Sequence, residues 1–399
     1  MKKIIFFTGN RADYWLQKEL IMKTISSKIY KVRILVSGSH LEKKYGETYQ
    51  ILKLDGFKKI LDIEKIASPK VNNSSTGIVI ADAIKKYSLY LEKHKPDLFI
   101  VPSDRFEAFA ALVAATQKNI LTAHFEGGDI TEGGCYDDSV RHAMTKLSHY
   151  HFVTNTKAKT NLIKMGEEKD RIFLIGLPSL DIIKQKNYTN HIEICKKYNL
   201  NKNKTIILFT FHPIASLNEK NQTLINSLEK VIKHLNKEFD IIATYPNNDA
   251  GSEYIIHAIS KWSKNYKNFQ LYKSLGAYDY YGILALNLKN FKVICLGNSS
   301  SGIKETAIFK CPTINLGNRQ DGRLKPNNII DIPKLNYQKI ITTISFILEN
   351  KNFNKTLKNI NNPYYFGGAK KQFLKGIKTD WKLLFSLKTS LLSIIYNLF

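Results

Sequence analysis

Cysteine is scarce. There are four in 399 residues, Cys135, Cys195, Cys295 and Cys311, and no metal-ligand spacing relates them. That excludes a disulfide framework and sets the expectation of a reducing cytoplasm. The chain also lacks HExxH, paired CxxC and a DxD placed as a metal site, so no metal is expected. Its first turn, GNRAD, does not fit G-x-G-x-x-G, and no dinucleotide cofactor is expected either. Long apolar runs are missing: MKKIIFFTGNRADY opens like a signal peptide, but its apolar run is only Ile4–Phe7 and leads into a Gly turn, so it reads as a first strand. Acids are few, 34 against 60 Lys and Arg, for a net charge of +26. Such an excess raises the question of a polyanionic partner. The lysines, however, come singly or in pairs such as Lys58–Lys59 and Lys370–Lys371. No nucleic acid is expected, and the surplus reads as compositional drift with some help toward an anionic substrate.

What is present points to two α/β halves, as the length also suggests. In the stretch Leu98–Phe152, two strand-like runs, LFIVP and ILTAHF, stop at acids, Asp104 and Glu126. The Ala-rich EAFAALVAATQ between them has helical spacing, so the unit reads β–α–β with parallel neighbouring strands and both carboxylates on one edge. In open α/β sheets that carboxyl edge is where ligands bind. An acid directly after an apolar run is costly to bury without a partner or a task. A Gly-rich loop follows, then Asp137 and Asp138 open a helix carrying Arg141, His142 and Lys146. Asp137 is either a helix cap or a further acid of the site.

Elsewhere, Arg11 falls at the start of a first helix, and KVRILVSGSHL ends a second strand in a turn with His40, a loop or packing residue on its own evidence. Asp62–Asn73 reads as a loop, Thr76–Lys93 as a helix, Phe152–Thr154 as a strand and Ala158–Gly166 as a helix ended by Gly166. The chain divides near Ser179–Asn190, and the β–α pattern restarts at Thr205. His212 and Asn247 fall after strands of this second half, and GNSSSGIKE follows another. Ser299, Ser300, Ser301 and Gly302 cluster backbone N–H donors suited to a diphosphate, and Glu305 is in reach of ribose hydroxyls, or the serines simply cap a helix. The last stretch, 380–399, repeats Trp381, Leu384, Leu387, Leu391, Ile395 and Leu398 at three- and four-residue steps. It reads as an amphipathic tail that docks on protein or lies on anionic lipid.

SDRFEA, HFEGGDITEGG and DDSVRHAMTKLSHYHF resemble the hydrolysing UDP-N-acetylglucosamine 2-epimerases of sialic and legionaminic acid pathways. So, in order, do GNRADY, SGSHLEKKYGET, YPNNDAGS, LYKSLGAYDYYGIL, GNSSSGIKE, GNRQDGR and NNPYYFGGAKKQFLKGI, over about residues 1–378. The resemblance implies two Rossmann-like domains facing a cleft, the GT-B arrangement, with C-terminal helices crossing back and a homodimer. Domains are expected at 1–180 and 191–360, with a crossover helix at 361–379 and the tail at 380–399. It implies a UDP-sugar substrate, Asp104, Glu126, Asp137 and His212 as catalytic groups, and Arg11, His40, Arg105, Arg141, Asn247, Ser299–Gly302, Glu305 and Arg323 as UDP or substrate binders. The chain departs from the family at Leu16, where many members carry Lys, at Asn10, and at Ser103, where Gly usually precedes Asp-Arg. A GT-B glycosyltransferase, an epimerase of UDP-2,4-diacetamido-trideoxyglucose and a basic binding protein are the rival readings.

Overall fold

The computed structural model describes residues 1–66, 76–131, 135–214, 221–247 and 251–379, with the side chains of 135–137, 221–222 and 379 outside that set. Continuous apolar runs such as Ile4–Phe7 and Leu98–Val101 are buried on both faces, as strands of a parallel sheet covered by helices must be. They are β1 (Lys2–Thr8), β2 (Tyr30–Val36), β3 (Leu61–Ile63), β4 (Leu98–Pro102), β5 (Thr122–Phe125), β6 (Tyr150–Val153) and β7 (Ile172–Leu174). The sheet runs β3-β2-β1-β4-β5-β6-β7, all parallel. A second parallel sheet contains β8 (Ile206–Thr210), β9 (Asp240–Thr244), β10 (Phe269–Tyr272), β11 (Val293–Gly297), β12 (Thr313–Leu316) and β13 (Ile329–Ile332), in the order β10-β9-β8-β11-β12-β13. The two doubly wound sheets are the expected α/β architecture.

Each sheet reverses its strand order once, between β1 and β4 and between β8 and β11. A crevice opens beyond the carboxyl ends of strands at such switch points. Asn10 and Arg11 follow β1, Asp104 follows β4, His212 follows β8 and Ser299 follows β11. Topology alone therefore gathers residues from four distant motifs. Gly297 makes the second crevice: at φ 145°, a Cβ would lie 1.9 Å from the Thr210 carbonyl oxygen, so only glycine lets β11 end so close to β8.

The helix Thr76–His94 matches the expected Thr76–Lys93. The helix Thr156–Lys164 starts two residues earlier than expected because Asn155 caps it, accepting from the Ala158 N–H at 2.8 Å, and Gly166 follows its end at φ 86°. The strand expected at Phe152–Thr154 is Tyr150–Val153. One element was misread: Asp62 and Ile63, expected in a loop, belong to β3. This three-residue edge strand has little apolar signal because Asp62 is held by the Arg33 guanidinium and the Tyr90 hydroxyl.

The crossover helix expected at 361–379 is shorter, Ala369–Thr379, with 361–368 not helical; its Phe373 ring lies 4.7 Å from that of Phe152 and 6.1 Å from that of Phe6 in the first half. Lys370 pairs with Glu19 at 2.7 Å beside it. Among the described residues no helix is long and apolar enough to cross a membrane. The tail expected at 380–399 lies outside the described residues.

Candidate active site

The first wall of the cleft is built on two strained strand ends. Ser103, after β4, has φ 60°, and Glu126, after β5, has φ 69°, a region costing a non-glycine residue about 1–2 kcal/mol. His124 holds the Ser103 carbonyl with an Nε2 bond of 2.7 Å, and Phe152 accepts from the Glu126 N–H at 3.0 Å. These contacts offset the strain and aim Asp104 and Glu126 into the cavity, which both line. The left-handed backbone at Ser103 also explains why glycine suits that position.

Arg141 organises the acids. Only 2% of it is exposed; it pairs with Asp104 and Asp138 and donates to the Asp129 carbonyl at 2.9 Å. Burial alone pushes the Asp104 carboxyl up, but the Arg141 guanidinium beside it, helped by Arg323 and Arg105, holds it below the usual range. Asp104 is thus a carboxylate at any neutral pH. Asp138 also accepts from the Thr131 N–H and hydroxyl, tying the glycine-rich loop to the helix Cys135–Leu147. Asp137 lies in the first turn of that helix, with its side chain outside the described residues.

The opposite wall comes from the second sheet. The His212 N–H donates to Asn298 Oδ1 at 2.6 Å, and His212 Nδ1 accepts from the Asn247 N–H at 3.1 Å. In a neutral ring the proton is therefore on Nε2. Ser299 occupies the cap position before the helix Ser300–Lys304 and its side chain makes no capping bond, while its carbonyl accepts from the Gly302 N–H at 3.1 Å. Glu305 is buried and accepts from the Ser179, Tyr281 and Ser301 hydroxyls at 2.7, 2.7 and 2.6 Å. Burial raises its carboxyl above the usual range, and the three hydroxyls only partly counter that. Gln320 accepts from Arg323 Nη1 at 2.7 Å, while Arg323 Nε is buried with no hydrogen-bond partner among the described residues. A half-buried guanidinium with a buried, unpaired Nε suits an anion.

Of the residues expected here, Asp104, Glu126, His212, Arg11, Arg105, Arg141, Asn247, Ser299, Ser300, Ser301, Glu305 and Arg323 line this one cavity. Two are placed elsewhere. His40 is fully buried between the Thr8 and Thr48 hydroxyls, at 2.9 and 2.8 Å, and burial with the nearby Arg11 charge pushes its pKa down to about 3. It is a neutral packing group. Gly302 faces β12, where a Cβ would sit 3.2 Å from Thr313 Cγ2, so it serves close helix–sheet packing. Lys18, near the unusual Leu16, pairs with Asp55 at 2.6 Å and donates to the Tyr278 hydroxyl at 2.8 Å, bridging the halves.

Sequence reasoning missed Lys304, Asp129 and Asp13. Asp13 lines the cavity, and burial, reinforced by Glu107, pushes its pKa up to about 7. The unfolded chain ionises near the ordinary aspartate value of about 3.9. Asp13 therefore favours the fold below that pH and loses this contribution as pH rises from about 4 to 7. Asp13→Asn is expected to remove that part of the decline, measured by urea unfolding at pH 4, 6 and 8; an unchanged slope would contradict the shift.

The family model described as UDP-N-acetylglucosamine 2-epimerase matches residues 23–378. The chain belongs to this family. A UDP-N,N'-diacetylbacillosamine 2-epimerase (hydrolyzing) of Legionella pneumophila is 34% identical over 342 residues, covering 86% of this chain and 88% of that one. Polysialic acid biosynthesis protein P7 of Escherichia coli is 28% identical over 392 residues, 96% of this chain and 97% of the other. The fold matches that of a Neisseria meningitidis UDP-GlcNAc 2-epimerase solved with UDP-GlcNAc, at TM-score 0.77 and 19% identity over 95% of this chain and 100% of that one. The two-sheet, GT-B-like architecture is thus that of the family.

Proposed function

We propose that the chain is a hydrolysing UDP-sugar 2-epimerase that converts UDP-N-acetylglucosamine, or a related UDP-2-acetamido sugar, to UDP and a free N-acetylmannosamine-type sugar for nonulosonic acid synthesis. The observation that carries this is the division of the cleft: carboxylates on one wall, anion donors on the other. A sugar held between them has C2 toward Asp104 and Glu126 and its diphosphate toward His212, the Ser299–Ser301 turn and Arg323.

The chemistry then balances in two steps. Asp104 takes the C2 proton while the C1–O bond breaks with its electron pair going to UDP, leaving a C1–C2 double bond. The His212 Nε2–H, the first-turn N–H groups and Arg323 stabilise the charge that develops on UDP. Water then adds its hydroxyl at C1 and its proton passes to one of Glu126 and Asp137, while the other, protonated, returns a proton to the other face of C2. Arg141 suits Asp104 to the first role by keeping it ionised.

The Legionella relative favours the diacetamido-trideoxy sugar as a second substrate reading. Proton NMR of incubations with UDP-N-acetylglucosamine and with UDP-2,4-diacetamido-2,4,6-trideoxyglucose separates the two, since free 2-epimeric sugar and UDP should appear from one in preference. Sugar transfer to an acceptor, or no turnover of either, would favour the glycosyltransferase or binding-protein readings. The proposal includes a cytoplasmic location, as the scarcity of cysteine suggests, a homodimer, as the resemblance implies, and a tail at 380–399 that docks on protein or lies on anionic lipid. Its apolar repeat and the +26 charge support the latter, and vesicle cosedimentation before and after truncation at Thr379 tests it.

A further inference from the structure

Lys304 ends the helix Ser300–Lys304 in the second half, yet its Nζ sits among acids of the first. It donates to Glu126 Oε1 at 2.5 Å and pairs with Asp129 Oδ2 at 3.2 Å, with 6% of its side chain exposed. The Tyr364 ring closes over it at 5.8 Å, and its carbonyl accepts from Asn362 Nδ2 at 2.7 Å, fixing the helix end. An exposed lysine pair would carry little meaning. A lysine removed from water at the seam between two halves, with carboxylates of the other half as its ionic partners, is different: loss of either side leaves a buried charge uncompensated.

The two acids are not equivalent. Asp129 is not among the residues lining the cavity and is further held by Asn155 Nδ2 at 2.8 Å; burial pushes its carboxyl up, but Lys304 first and Arg323 next bring it down to about 2. It balances the lysine's charge. Glu126 lines the cavity, and no hydrogen bond reaches its Oε2 among the described residues. The lysine thus grips one carboxylate oxygen and leaves the other toward the sugar.

We propose that Lys304 is a positioning residue for the epimerase reaction, fixing the Glu126 carboxylate through Oε1 so that Oε2 faces the substrate, and doing so only when the two halves are closed. The inference rests on the functional reading above. Its physical content is a coupling: Ser300 and Ser301, at the start of the same short helix, line the nucleotide side of the cavity. Closure around the nucleotide and alignment of the acid then become one event. An acid that is aligned only in the closed state is not offered to water in the open one.

Lys304→Met keeps the chain length and removes the donor. Its kcat is expected to fall about tenfold or more, with a smaller rise in Kd for UDP by calorimetry, since the same ion pairs favour the closed state that holds the nucleotide. Lys304→Arg, which restores the charge, should recover part of the loss. Because the lysine acts through Glu126, Lys304→Met should add almost nothing to Glu126→Gln in the double variant. Wild-type kcat in Lys304→Met, or losses that multiply in the double variant, overturns the proposal. Full activity of Glu126→Gln would instead overturn the functional reading and the inference with it. Should Lys304→Met not fold by circular dichroism, Asp129→Asn and Asp129→Asn/Lys304→Met carry the same comparison, since one of the two buried acids is then neutral.

Discussion

Asp104→Asn and Glu126→Gln are each expected to lower kcat by about two to four orders of magnitude, the range of a lost general acid or base. Kd for UDP should stay within about threefold, since both residues stand on the wall opposite the nucleotide donors. Asparagine at 104 keeps the shape and leaves Arg141 paired with Asp138, so the scaffold survives while the base is lost. Asp137→Asn is expected to behave likewise if it shares the proton transfers. Because Arg141 holds Asp104 below the usual carboxylate range, the acid limb of kcat/KM should not follow an ordinary aspartate titration through Asp104. Retention of more than about a tenth of wild-type kcat by all three variants would remove the carboxylates from the chemistry.

The nucleotide side should answer in affinity. His212→Ala, Arg323→Ala and Glu305→Gln are each expected to weaken UDP binding by about 1–3 kcal/mol, roughly five- to a hundredfold or slightly more in Kd. Arg323 carries the clearest warrant, because its Nε is buried without a hydrogen-bond partner among the described residues and Gln320 already fixes its orientation. His212 is held by Asn298 and the Asn247 N–H so that Nε2 keeps its proton. Glu305→Gln retains an acceptor for the Ser179 and Tyr281 hydroxyls, which Ala would leave unpaired in a buried site. Calorimetry with UDP checks all three, and unchanged affinity throughout would move the nucleotide out of the second half.

Much of this site was legible because its residues stand at the ends of apolar strand runs, where one-dimensional pattern and three-dimensional position coincide. LFIVP then Asp104 and ILTAHF then Glu126 announce their edge, and the parallel crossover makes β4 and β5 neighbours. The signal fails where the same local pattern has two uses. His40 in its Gly-Ser-His turn reads alike whether it lines a cleft or packs beneath one, and only the two threonine hydroxyls around it decide. Gly302 likewise follows three cavity serines but turns to the sheet. Lys304 was illegible for another reason: its partner is 178 residues away, and nothing between Ile303 and Glu305 marks it. Such convergence belongs to the packing of two sheets and leaves no periodic trace in either. The short β3 has little sequence signal because a half-buried ion pair, not an apolar run, holds it in place.

The most direct measurement is turnover of the preferred UDP-sugar in deuterium oxide, with the product read by NMR and mass spectrometry. Removal of the C2 proton, loss of UDP and return of a solvent proton to the other face require one deuterium at C2 of the free sugar, inverted at that carbon, with none at C2 from Asp104→Asn above the uncatalysed background. A free or transferred sugar that keeps its original C2 hydrogen and configuration would contradict the account.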